Sequence, residues 1–104
     1  IAEAEATLRS ARAWFREVAE DAWRTFLDDG ALDTETQALI TLTSVHAAQA
    51  AVRATDMLYA IAGTSPAMGR SEFGRAWRDA HVVSQHILLS SQNYDGIGAA
   101  LARA

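Results

Sequence analysis

Apolar side chains recur at intervals of three and four along the first quarter of the chain. Leu8, Ala11, Phe15, Val18, Ala22 and Phe26 form the stripe of a helix packed along one side. The spacing predicts a helix from residue 2 to about 28, closed by Asp28, Asp29 and Gly30, with Gly30 as a left-handed C-cap. Glu5 with Arg9 and Glu20 with Arg24 stand at i,i+4 in the favourable order, each contributing roughly a few tenths of a kcal/mol. Trp14 and Trp23 lie off the stripe; they either widen the core face or anchor a second subunit. A second helix starts at Asp33 or Thr34, where Thr34 and Gln37 fit a capping box, and runs through Ala62 to a stop at Gly63. At about 1.5 Å per residue it is ~42 Å long. Most of its circumference is apolar, as a central helix requires. One row breaks the pattern: His46, Gln49, Arg53 and Asp56. That row reads either as a solvated stripe with an Arg53–Asp56 pair or as a polar seam at a subunit boundary.

Pro66 and the glycines Gly63 and Gly69 mark a loop. A third helix opens with Ser71 as N-cap and Glu72 in its first turn, and is expected to end near Ser91. On it Arg78, His81 and Gln85 share a face, Asp79, Val82, His86 and Leu89 make the neighbouring stripe, and Phe73, Trp77, Ala80, Ser84, Ile87 and Ser91 give an opposite, mainly small or apolar face. Asn93, Tyr94, Asp95 and Gly96 read as a turn, with a short last helix from about Ile97 to Arg103. The expected fold is all-α: an antiparallel up-and-down bundle of three long helices plus a short C-terminal helix, with residues 1–104 as a single domain. The chain opens on Ile1, inside an amphipathic pattern, which reads as a domain of a larger protein.

Composition narrows the function classes. Of 104 residues, 50% are hydrophobic, much of that alanine, and the single proline suits helices. The net charge is -4, and the basic residues, all arginine, are interleaved with acids. A nucleic-acid footprint is therefore not supported. Without cysteine there is no disulfide framework or thiolate chemistry, and neither a bilayer-length apolar run nor a signal-peptide pattern occurs. The expectation is a cytoplasmic protein with neither membrane nor nucleic acid among its partners. No His or carboxylate cluster has metal-site spacing, and Gly63, Thr64 and Ser65 are too short a run to make a phosphate loop. His81, close to Arg78 and Asp79, is the best candidate for chemistry that the residues offer by themselves.

The string Ser71, Phe73, Arg75, Trp77, Arg78, Asp79, Ala80 and His81, followed by Gln85 and His86, also resembles a known family. It is similar to the C-terminal helical domain of acyl-CoA dehydrogenase-like flavoproteins, in the branch of reduced-flavin-dependent monooxygenases. Met57 to Thr64, with an Ala-Gly ending a long helix, fits the same pattern, and the likeness spans essentially the whole chain.

The resemblance implies a flavin, FMN or FAD, in the full-length protein, with none bound by this segment alone. Such a domain closes the flavin site and builds a dimer or tetramer. It implies that His81 is catalytic, assisting oxygen transfer or deprotonating a phenolic substrate. It further implies that Ala62, Gly63, Thr64 and Ser65 line the flavin edge, with Gln85 beyond His81. His86, on the Asp79 stripe, is expected to be structural. Acyl-CoA dehydrogenases proper place a glutamate some eight residues after the Arg-Asp pair; no acid lies between Asp79 and Asp95, which favours a monooxygenase of an aromatic or hydrophobic small molecule. The alternatives are a stand-alone helical oligomerisation module without catalysis and an acyl-CoA dehydrogenase proper. The segment alone is expected to be inactive.

Overall fold

The computed structural model describes residues 1–62, 72–86 and 88–104. The described residues form four helices and no strand: α1 (Ala2–Asp29), α2 (Thr34–Ala62), α3 (Glu72–Ser84) and α4 (Asn93–Arg103). The chain extends over 53 × 24 × 21 Å.

The α1–α2 hairpin is built by its caps. Gly30 takes φ 74 and returns its N–H to the Phe26 carbonyl at 2.8 Å. That left-handed conformation is open to glycine without a Cβ penalty and closes the last turn of α1. Asp33 is the N-cap of α2: its Oδ1 accepts the Thr36 N–H at 2.8 Å. The Gln37 amide reaches past the cap to the Leu32 carbonyl at 2.9 Å. Glu5 and Arg9 pair at 2.6 Å, whereas Arg24 turns to Asp21 at 3.4 Å instead of Glu20.

The helix α2 touches each of the other three. Trp14 meets His46 edge-on at 5.5 Å, and Ile1 lies with Leu58 and Ile61, so α1 runs antiparallel along the whole of α2. Ala4 and Ala11 of α1 and Ala50 and Ala54 of α2 are all buried. Such small side chains let helix backbones approach closely, and their burial with Val18, Ala22, Thr43 and Val45 forms the core. Along the other side of α2, α3 covers the C-terminal half and α4 the N-terminal half.

The third position of the bundle is thus divided between a helix of 13 residues and one of 11, beside two of 28 and 29. The sequence pattern alone carries α3 on to Ser91, but the backbone tightens at Ser84. Gln85 and His86 donate to the carbonyls three residues back, Val82 and Val83, at 3.1 and 3.0 Å. Ser84, Ser90 and Asn93 then bond nearby backbone with their side chains. Such local bonds compete with the helical ladder and give α4 its separate start at Asn93.

The large exposed apolar side chains lie chiefly on α1 and α3 and just beyond: Phe15, Trp23, Phe26 and Leu27, then Val82, Val83 and Leu88. The alanines of α2 at positions 38, 50 and 54 are covered within the chain itself. No described helix is long and apolar enough to cross a membrane.

Candidate functional site

The α2–α3 seam carries the main polar cluster between elements. Trp77 and His81 stand one turn apart on α3, and Asp56 and Tyr59 one turn apart on α2. Asp56 Oδ1 accepts the Trp77 indole N–H at 2.8 Å and lies 2.8 Å from His81 Nε2. The Trp77 ring stacks on Tyr59 at 4.7 Å and 26°, and meets the His81 ring at 4.6 Å and 51°. The hydrogen bond from His81 holds the Asp56 carboxyl below its usual range; desolvation opposes it, and the Trp77 bond and the charge of His81 add smaller effects in the lowering direction. The side chains of His81 and Asp56 are 37% and 50% exposed, so the pair is within reach of solvent and is screened by it.

The polar row of α2 is therefore divided by the fold. Asp56 bonds α3 rather than Arg53, which is exposed; His46 packs on Trp14 of α1; and Gln49 donates to the Leu89 carbonyl at 3.3 Å.

Just past α3 lies an open, largely apolar hollow of about 570 Å³, lined by Val82, Val83, Gln85, His86, Leu88 and Leu89. His86 is exposed, and its Nδ1 accepts the Leu88 N–H at 3.2 Å, which orients the ring and leaves Nε2 as its other polar atom. Because α3 ends at Ser84, His86 does not continue the Asp79 stripe; it turns with the tightened segment onto the hollow. A helical wheel extended to Ser91 misses this, and the only hint in the sequence is the pair of serines that follows.

Of the residues singled out in the sequence, His81 sits on the α2–α3 seam and Gln85 on the rim of the hollow. Ala62 is the last residue of α2, and its side chain lies outside the described residues, as do Gly63, Thr64 and Ser65. Among the described residues, no group of three or more His, Asp or Glu is placed to hold a metal ion. A second apolar groove, of about 290 Å³, runs between α1 and α2, with Phe15, Trp23, Phe26 and Ile40 among its walls.

Comparison with known proteins gives this arrangement its context. A family model described as acyl-CoA dehydrogenase, C-terminal domain, matches residues 1–91. The chain belongs to this family. Within the acyl-CoA dehydrogenase-like proteins it is similar to an indole-3-acetate monooxygenase of Pseudomonas putida, 35% identical over 99 residues, or 95% of this chain and 25% of that protein. An indole-3-acetate monooxygenase of Acinetobacter baumannii is 24% identical over 98 residues, 94% of this chain and 25% of the relative. The chain thus spans about a quarter of the length of these relatives. No solved structure matches it. The family match covers α1 to α3 and the hollow; α4 lies beyond it.

Proposed function

We propose that this segment is the C-terminal helical domain of a flavin-dependent monooxygenase acting on an aromatic or hydrophobic small molecule. The observation that carries the reading is the 35% identity, over nearly the whole segment, to an indole-3-acetate monooxygenase. The domain forms one wall of the flavin and substrate site and contributes contacts between copies in a dimer or tetramer. The exposed apolar side chains of α1 and α3 support that second role, since a wall meant only for water would not hold Trp23 at 61% exposure.

The hollow beyond α3 suits a flat, mostly apolar ring with a polar edge. Val82, Val83, Leu88 and Leu89 supply apolar surface, while Gln85 and His86 supply hydrogen-bonding groups at the rim. When bound, FMN or FAD supplies the activation of dioxygen. Ala62, Gly63, Thr64 and Ser65 are the residues that the family resemblance assigns to the flavin edge. Two imidazoles serve as proton-transfer groups in this reading: His81, the histidine of the family's Arg-Asp-x-His pattern, oriented by Asp56 on the α2–α3 seam, and His86, which lines the hollow. None of the described residues lining the hollow is acidic, so it offers no carboxylate base for abstracting a proton beside a thioester.

Indole-3-acetate is the first substrate to test. The full-length protein, supplied with reduced FMN or FAD, is expected to convert it with consumption of oxygen that stops when the flavin is omitted. Conversion independent of flavin, or desaturation of an acyl-CoA in its place, overturns the reading.

A further inference from the structure

The strongest unassigned feature is the carboxylate of Asp56, which collects contacts from two rings of another helix on one oxygen. We infer that Asp56 is a positioning residue: it holds His81 in the Nε2–H tautomer and leaves Nδ1 as the nitrogen that exchanges protons. The inference rests on the reading of His81 as a proton-transfer group.

The hydrogens can be placed from donor chemistry. An indole N–H only donates, so Oδ1 is the acceptor in the 2.8 Å contact with Trp77. The carboxyl is held below its usual range, so at neutral pH it is ionised and carries no hydrogen to donate. The 2.8 Å contact to His81 therefore takes its hydrogen from Nε2. In the neutral ring the lone pair is then on Nδ1. Trp77 limits rotation of the imidazole, since its ring lies 4.6 Å from that of His81 and is itself stacked on Tyr59 at 4.7 Å.

Proton exchange balances simply. Nδ1 takes a proton from the reactant, Nε2 keeps its own, and the imidazolium forms beside an ionised carboxylate. The proton leaves again from Nδ1, and Asp56 gains and loses nothing. The exposure of the pair, at 37% and 50%, leaves the imidazole accessible for such exchange. A carboxylate in this position selects a tautomer and stabilises the imidazolium without itself being protonated.

The test uses the full-length protein as Asp56→Asn, His81→Ala and the double variant. Asparagine keeps the size of the side chain, but its amide can present either a carbonyl or an NH2 to the ring, so it no longer imposes a tautomer. Nitrogen NMR of isotope-labelled histidine, with the His81 signals assigned by their loss in His81→Ala, reads the tautomer directly. Wild-type His81 is expected to be protonated on Nε2 and bare on Nδ1, and Asp56→Asn to give a mixture. In turnover, Asp56→Asn is expected to lower kcat with little change in KM, by no more than the roughly 10²–10⁴-fold loss of a positioned acid–base group. The double variant should be no slower than His81→Ala. An unchanged tautomer in Asp56→Asn, or additive losses in the double variant, overturns the positioning role. A shifted tautomer with normal turnover in His81→Ala leaves Asp56 as the orienting group and overturns the proton-transfer reading of His81.

Discussion

Replacing His86 with alanine in the full-length protein is expected to lower product formation by roughly 10²–10⁴-fold, the loss that follows removal of a positioned acid–base group. The expectation comes from where the chain puts this imidazole. It is exposed, lines the apolar hollow and has its ring oriented by the Leu88 N–H on Nδ1. An exposed imidazole contributes little to core packing, so the melting temperature should move little. Activity and stability thus separate at this position. Normal turnover in His86→Ala, or a loss of turnover matched by a large drop in melting temperature, removes His86 from the chemistry. The conservative control is His86→Gln, which can keep a hydrogen bond to the Leu88 N–H but cannot exchange protons near neutral pH.

The second large effect concerns the α1–α2 seam. Ala50 and Ala54 are each 0% exposed, in the same core as the buried Ala4 and Ala11 of α1. A leucine at either position must displace backbone or force neighbours off their rotamers, at a cost of about 1–3 kcal/mol. Ala54→Leu is therefore expected to lower the melting temperature of the protein clearly. Ala60→Leu, on the same helix but exposed, should leave it nearly unchanged. Equal effects at the two positions would show that the helices are not packed along this alanine seam. The same seam carries weight for function, because α2 holds Asp56 and so sets where α3 and the hollow sit.

Much of the hairpin could be read directly from residue types. Gly30 as a left-handed cap, an N-cap at Asp33 or Thr34, the limits of α1 and the start of α2 follow from local chemistry, in which one residue satisfies the backbone of its near neighbours. The site was less legible, for two reasons. Periodicity assigns a residue to a face but does not say which helix that face meets. Asp56 could therefore be placed on a polar row beside Arg53, while its actual partners, Trp77 and His81, are more than twenty residues away. The second reason is competition at the end of α3. The apolar and polar spacing from Glu72 continues without a break through Leu89, whereas α3 ends at Ser84 and the side chains of Ser84, Ser90 and Asn93 bond nearby backbone. That stop gives His86 its place on the hollow. The family pattern ending at His81 could be read from its order and spacing in the chain, whereas the surroundings of His81 and His86 depend on these tertiary details.

The proposed reaction, transfer of one atom of dioxygen to an aromatic small molecule at a flavin site walled by α3, has a direct isotopic readout. The full-length protein would be given reduced flavin and indole-3-acetate under dioxygen labelled with heavy oxygen, and the product weighed by mass spectrometry. One labelled oxygen atom is expected in the product, and none when labelled water replaces labelled dioxygen. An unlabelled product, or label drawn from water, would contradict it.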